Sequence, residues 1–215
     1  MKLYGYFRSS ASYRVRIALA LKGLAYESVP VDLRAPASAQ RTPEFLALNP
    51  EGLVPVLVDG AHVLRQSLAI IEYLDEVHPS PPLLPDTPAA RAQVRALTLA
   101  IACDIHPLNN LRVLNYLRAP LGHADAEVDA WYAHWIERGL RALEEEVGAT
   151  SGDGLHMFGS TVSLADVFIV PQLYNARRLK CDLTSFPRLC AIDAHLTTLA
   201  AFAGAAPERQ PEAGL

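Results

Sequence analysis

The sequence predicts a small α/β domain followed by an all-α domain. Up to residue 78, patterns typical of strands and helices alternate, whereas strand patterns vanish beyond residue 88. Between these regions, residues 78–88 hold five prolines in eleven positions, and such a segment continues neither a helix nor a sheet. We therefore expect domains at residues 1–78 and 89–215, joined by a linker at 79–88.

The first 31 residues predict a strand, a helix and a second strand. "KLYGY" (2–6) is the first strand, the helix runs from Ser9 to Leu21, and "YESVPV" (26–31) is the second strand. Gly23 stands just past the helix end, where a left-handed backbone is favoured. Strand, helix and strand at this spacing form a βαβ unit with parallel strands.

A short helix, a hairpin and a longer helix follow in residues 43–77. After the short helix "PEFLALNP", the strands "VPVLV" and "AHVL" flank Asp59-Gly60, which could supply the two positive φ angles of a type I′ turn. Ser67 stands ahead of "LAIIEYLDEV" as the expected N-cap. The order βαβαββα predicts a four-stranded mixed sheet with helices on its faces, which is the thioredoxin-like architecture.

The second domain is predicted to be a helical bundle. Its first helical pattern, residues 89–117, contains Pro107, which must kink or divide it. Two further patterns follow, and Ser163 with Asp166 predicts an acidic capping box at the start of the second of these. "FPRLCAIDAHLTTLAAF" is the last helix, and we expect the polar tail "APERQPEAGL" to be poorly ordered.

The composition excludes several classes of protein. With 51% apolar residues among 215, the chain can bury a sizeable core. Lys plus Arg is 19 against 23 for Asp plus Glu, so the net charge of −4 offers no attraction for nucleic acid or an anionic membrane. We expect no secretory signal, no membrane span and no metal site. The three cysteines lack CxxC spacing and are typical of reduced thiols in the cytoplasm.

The loop between the first strand and first helix reads "RSSASY", where redox members of the thioredoxin-like fold carry a CxxC motif. Dithiol chemistry is therefore excluded at this position. Ser9, Ser10 or Ser12 could simply cap the helix. Alternatively, a serine hydroxyl at this positive helix end donates a hydrogen bond to the thiolate of a ligand and lowers its thiol pKa from roughly 8.5 toward 7.

Two more positions on this domain could bind a peptide-like ligand. Val54-Pro55 is either a cis bond that presents the Val54 main chain to an extended peptide or an ordinary edge-strand proline. Gln66-Ser67 offers an amide, a hydroxyl and N–H groups to a carboxylate, or merely caps a helix. Three such positions together favour a site for a short acidic thiol peptide.

Several motifs, in this order along the whole chain, resemble those of the zeta-class glutathione transferases. They are "SSASYRVRIALALKG", "NPEGLVPVLVDG", "QSLAIIEYLDE", "DIHPLNNLRVLNYL", "SLADVFIVPQLYNARRLKCDL" and "FPRL". This class includes maleylacetoacetate isomerase and bacterial maleylpyruvate isomerase. The resemblance implies the glutathione transferase fold, glutathione as cofactor, a homodimer, and cis–trans isomerisation of a maleyl dicarboxylate or keto acid in aromatic compound degradation.

The resemblance also implies site residues. It assigns glutathione binding to Ser9, Val54, Pro55, Gln66, Ser67, His106 and Asn110. Ser9 would stabilise the thiolate with Ser10 as its neighbour, and Gln66 and Ser67 would hold the γ-glutamyl end. Many members have cysteine and tryptophan where this chain has Ala11 and Tyr13, which leaves the relative rates on different substrates open.

Arginines point to an anionic substrate. Arg8 directly precedes the serine pair. The resemblance supports Arg8 and Arg178, and less strongly Arg112, as residues that bind the carboxylates of the substrate. Arg177 could take this role in place of Arg178. Each of these arginines could instead be an ordinary solvated side chain at the surface. Two other functions stay open: a transferase that conjugates electrophiles, and a non-enzymatic interaction protein with the transferase fold.

Overall fold

The computed structural model describes residues 1–34 and 38–214. The strands of this part of the chain are β1 (Lys2–Gly5), β2 (Glu27–Pro30), β3 (Val56–Asp59) and β4 (His62–Arg65). Its α-helices are α1 (Ser10–Leu21), α2 (Pro43–Leu48), α3 (Ser67–Val77), α4 (Pro88–Leu99), α5 (Leu111–Arg118), α6 (Asp125–Thr150), α7 (Leu164–Arg178), α8 (Pro187–Leu196) and α9 (Ala200–Ala205). None of these helices is long and apolar enough to cross a bilayer.

The strands form one mixed sheet in the order β2-β1-β3-β4. β1 is parallel to β2 and antiparallel to β3, so Tyr4 is in register with both Val29 and Val56. Leu3 and Leu57 are register partners on these two strands, and both are buried. The predicted thioredoxin-like sheet is confirmed. In the βαβ unit at the start of the chain, the loop after β1 leads directly to the N-terminus of α1.

The β3–β4 turn differs from the predicted one. Asp59 pairs with His62, so the two loop residues are Gly60 and Ala61, and of these two Gly60 alone has a positive φ, 56°. Glycine at the first loop position is typical of a type II′ turn, and the predicted type I′ turn centred on Asp59-Gly60 is wrong. The Asp59 carboxylate instead accepts a hydrogen bond from the Tyr73 hydroxyl at 2.9 Å.

The chain divides into two compact units, which differ from the predicted domains at the C-terminus. Met1–Pro82 and Leu199–Leu215 form the first unit, and Leu83–Thr198 forms the second. The last predicted helix is in fact two, because α8 ends at Leu196 and α9 begins at Ala200. The end of the chain thus belongs to the sheet-containing unit rather than to the helical one.

The expectation of a poorly ordered tail is wrong as well. Residues Pro207–Arg209 and Pro211–Gly214 form 3₁₀ turns, and Pro207 is buried, whereas Leu215 lies outside the described residues. The helix that leads into this tail, α9, is held by two buried α1 side chains that lie far away in sequence. The Tyr13 hydroxyl donates to the Phe202 carbonyl at 3.2 Å, and Arg16 Nε donates to the Ala205 carbonyl at 2.9 Å.

Pro107 divides the first helical pattern of the second unit, as predicted. Before it, the helix continues as a π-helical segment, Ala100–Ile105, and α5 begins only at Leu111. Ile105 is buried against α6, where a Cβ on Gly139 would lie 2.3 Å from its Cγ1 atom. Gly139 is therefore required by this close approach rather than by a special φ angle.

The predicted capping box at the start of α7 is confirmed. The Ser163 backbone N–H donates to Asp166 Oδ2 at 2.7 Å, and the Met157 N–H donates to Asp166 Oδ1 at 2.8 Å. Asp166 is fully buried, and burial raises its pKa against the effect of these donors. One carboxylate thus fixes both the helix start and the loop before it.

Candidate active site

Ser9 is the N-cap of α1. Its Oγ accepts a hydrogen bond from the Ser12 N–H at 3.2 Å, and its own N–H donates to the Tyr6 carbonyl at 2.9 Å. A hydroxyl that accepts in this way still has its own proton to donate. Capping and donation to a thiolate are therefore compatible in one side chain. Ser10, the first helical residue, is only 3% exposed, so Ser9 is the better placed of the pair.

The end of β1 lies close against the first turn of α1. Ser12 Oγ accepts from the Tyr6 N–H at 3.4 Å, and a Cβ on Gly5 would lie 3.1 Å from that oxygen. Ser12 is fully buried, so its part is structural. This packing fixes the loop that carries Ser9.

Arg8 is exposed in the turn directly before Ser9. Its guanidinium lies 4.9 Å from the centroid of the Phe7 ring, a cation–π contact within the same turn. The charged group thus stays at the surface beside the N-terminus of α1. An anion bound at this helix end would meet both the helix dipole and this cation.

The Val54-Pro55 bond is cis, as the first of the two alternatives requires, and binding of a peptide by the Val54 main chain stays a prediction. The paired part of β3 begins only at Val56, so Val54 lies ahead of the ladder. Asn49, which is 1% exposed, donates through Nδ2 to the Leu53 carbonyl at 2.7 Å and so fixes the chain just before Val54.

Gln66, and not Ser67, occupies the N-cap position of α3, which corrects the expectation for Ser67. β4 ends at Arg65 and α3 begins at Ser67, so a single residue joins strand and helix, and Gln66 takes a φ of 67°. Its side chain makes no capping bond to the helix; Nε2 donates instead to Glu51 Oε2 at 2.9 Å.

Ser67 has a buried cation behind it. Arg14 Nη1 donates to Ser67 Oγ at 3.3 Å, and Arg14 is 2% exposed. Burial lowers the pKa of Arg14 to about 9, so its side chain is still a cation at neutral pH. Sequence reasoning gave no role to Arg14 or Glu51. An arginine inside the apolar pattern "YRVRIALAL" was a usable signal for Arg14, whereas Glu51 lies in the motif "NPEGLVPVLVDG" without any signal for its pairing with Gln66.

The other candidate glutathione-binding residues, His106 and Asn110, lie in the helical unit. His106 follows the π-helical segment, and its N–H donates to the Ile101 carbonyl at 2.9 Å. Asn110 is the N-cap of α5, because its Oδ1 accepts from the Arg112 N–H at 3.1 Å. Arg112 itself is exposed in the first turn of α5.

Arg177 and Arg178 differ in their surroundings. Arg177 Nη1 donates to Asp193 Oδ2 at 2.5 Å, and that carboxylate is largely buried. Arg178 is the exposed last residue of α7. Burial raises the pKa of Tyr132 to about 12, and the positive charge of Arg178 acts in the opposite direction. Because Arg177 is engaged in an ion pair within its own unit, Arg178 is the better candidate for a substrate ligand.

Comparison with known proteins shows the family of this chain. Residues 3–82 match the family described as "Glutathione S-transferase, N-terminal domain". A protein of Vibrio cholerae named probable maleylacetoacetate isomerase is 55% identical over 211 residues, which cover 98% of this chain and 97% of the relative.

Solved structures are similar over nearly the whole chain. A holo structure of maleyl pyruvate isomerase, described as a bacterial zeta-class glutathione transferase, has a TM-score of 0.95 and 47% identity, with 99% of each chain covered. A Methylobacterium extorquens AM1 maleylacetoacetate isomerase with bound malonate and glutathione has a TM-score of 0.93 and 40% identity, with 98% of each chain covered.

Proposed function

Because this chain belongs to the zeta class of glutathione transferases, we propose that it is a glutathione-dependent isomerase that converts a maleyl keto acid to its fumaryl isomer. The observation that carries the proposal is similarity along the full length to proteins named for this activity. Maleylpyruvate and maleylacetoacetate are the two candidate substrates. Both combine carboxylate charge with a cis double bond conjugated to a carbonyl.

The residues of the sheet-containing unit fit glutathione by their chemistry. A thiolate suits the hydroxyl donor of Ser9 at a helix N-terminus, and a peptide backbone suits the main chain of Val54 ahead of the β3 ladder. An α-carboxylate suits Ser67, whose Oγ accepts from Arg14 and therefore directs its own proton elsewhere. His106 and Asn110 remain proposed ligands from the helical unit.

Ser9 would act by holding the bound thiol as its thiolate near neutral pH. When bound, glutathione supplies a nucleophile that adds to the conjugated double bond and leaves again once rotation about that bond has occurred. Ser9 donates a hydrogen bond to sulfur, and the N-terminal dipole of α1 adds positive potential. Its neighbour Ser10 is buried.

The arginines would act on the substrate. Arg8 stands next to Ser9, and we propose that it binds a carboxylate or stabilises the negative charge that develops on the conjugated carbonyl oxygen. Arg178 and Arg112, both exposed on the helical unit, are proposed for the remaining carboxylate charge. A conjugating transferase would need a mainly apolar acceptor site, which exposed arginines do not favour.

Two further properties belong to this proposal. We propose a homodimer, because the resembling class is dimeric. We also propose a cytoplasmic location, which the three free cysteines support, since a reducing compartment keeps thiols unpaired.

The proposal is tested by substrate turnover with and without glutathione. We expect conversion of maleylpyruvate or maleylacetoacetate to the trans product, detected by proton NMR, to require glutathione. The substrate with the higher kcat/KM is the one that the enzyme prefers. Equal conversion without added thiol would contradict the proposal.

A further inference from the structure

We propose that Glu51 binds the α-ammonium group of the γ-glutamyl end of glutathione. This inference rests on the proposed function and adds a binding residue to which the sequence analysis assigned no role. The γ-glutamyl end is an α-amino acid zwitterion, with a carboxylate and an ammonium group on one carbon. A site that holds both groups needs a cation or donors on one side and an anion on the other.

Charges of opposite sign flank the Gln66-Ser67 pair. On one side, the Glu51 carboxylate lies 2.9 Å from Gln66 Nε2. On the other, the buried Arg14 guanidinium lies 3.3 Å from Ser67 Oγ. This order of charges complements a zwitterion whose carboxylate is bound by Ser67 and whose ammonium group faces Glu51.

Rigid backbone presents Glu51. Its N–H donates to Asn49 Oδ1 at 3.1 Å, and the buried Asn49 also donates to the Leu53 carbonyl at 2.7 Å. Gly52 follows with a φ of 61°, so the chain makes a sharp turn immediately after Glu51. The same turn leads into Val54, so one segment would position both the γ-glutamyl and the cysteinyl parts of the ligand.

The bond between Glu51 and Gln66 also orients the Gln66 amide. Because Nε2 points to the Glu51 carboxylate, Oε1 of the same amide is directed away from it and is available to accept. An ammonium group carries three donors, and a carboxylate accepts more than one hydrogen bond. Glu51 can therefore keep its bond to Gln66 while it binds the ligand.

The test is a comparison of two ligands and two variants by calorimetric titration. The ligands are glutathione and glutaryl-cysteinylglycine, which lacks only the α-amino group. The variant Glu51→Gln removes the charge but keeps the size of the side chain. Glu27→Gln is the matched control, because Glu27 is also exposed but pairs with Lys2 where β1 and β2 begin.

We expect the unaltered protein and Glu27→Gln to bind glutathione about tenfold more tightly than the deamino ligand. In Glu51→Gln this ratio should fall close to one through weaker glutathione binding, with the affinity for the deamino ligand unchanged. The same ratio in Glu51→Gln as in the control would overturn the role of Glu51 and leave the proposed function intact. A failure of the unaltered protein to bind either ligand would overturn both.

Discussion

Arg16, inside α1, joins the last helix of the chain to the loop that carries the candidate catalytic serine. Its Nε donates to the Ala205 carbonyl at 2.9 Å, and its Nη2 donates to the Phe7 carbonyl at 3.0 Å. Arg16 is 5% exposed, so both bonds are shielded from water. Phe7 lies two residues before Ser9. The C-terminal segment is thus part of the framework of the site.

Replacing Arg16 should loosen this framework. We expect Arg16→Met to lower the free energy of unfolding by about 2–4 kcal/mol, because two buried hydrogen bonds from a charged donor are lost. Amide hydrogen exchange in α9 should accelerate in the same variant. The exposed Arg41→Met is the control and should change stability by less than about 0.5 kcal/mol. Unaltered exchange of the α9 amides would show that Arg16 does not hold this helix.

Gly139 should be intolerant of a methyl group. An added Cβ would lie 2.3 Å from Ile105 Cγ1, so we expect Gly139→Ala to cost about 1–3 kcal/mol in unfolding free energy. Ile105→Ala alone should also destabilise, because it leaves a cavity. In the double variant the new methyl group occupies part of that cavity, and the loss should be at least about 1 kcal/mol smaller than the sum of the single losses. Additive losses in urea denaturation would contradict this packing.

Features that depend on neighbouring residues were predictable from the sequence, whereas features that depend on distant residues were not. Local signals such as the Ser163–Asp166 cap, the division at Pro107 and Gly23 after α1 depend on neighbouring residues, and the structure agrees with each. The order of the tail was misjudged because α9, which leads into it, is held by Tyr13 and Arg16, each 189 residues from its partner in α9. Long-range partners of this kind leave no local pattern.

The same limit applies within the candidate site. The positions of Ser9 and Gln66 at helix starts were predictable, because helix N-termini have recognisable sequence signals. The positive φ of Gln66, which makes it the cap in place of Ser67, depends on how closely β4 and α3 follow each other. The pairing of Gln66 with Glu51 depends on the packing of two separate segments.

Ser9 should control the pKa of the bound thiol. In Ser9→Ala we expect the kinetic pKa of kcat/KM to rise toward the roughly 8.5 of a free thiol, because the donor to the thiolate is lost. Activity near neutral pH should fall by about 10²–10³-fold and recover in part at alkaline pH. The pH–rate profile measures both effects. Ser10→Ala is the control, and an inactive Ser10→Ala beside an active Ser9→Ala would assign the role to Ser10.

Arg177 and Arg178 should separate into a structural and a substrate-binding residue. We expect Arg178→Ala to raise KM for the maleyl substrate about tenfold with little loss of stability, because it removes a surface cation. Arg177→Ala should chiefly reduce stability, because it leaves the Asp193 carboxylate without its 2.5 Å partner. Steady-state kinetics and thermal unfolding of both variants check this. The reverse pattern would exchange the two roles.

The balance of free thiol during turnover tests the isomerase assignment most directly. With a trace of glutathione and a large excess of maleylpyruvate or maleylacetoacetate, we expect complete conversion to the fumaryl isomer and full recovery of free thiol. This follows because the thiol adds to the double bond and then leaves. Conversion that stops when glutathione is consumed, with one thioether formed per substrate molecule, would contradict the account and identify a conjugating transferase.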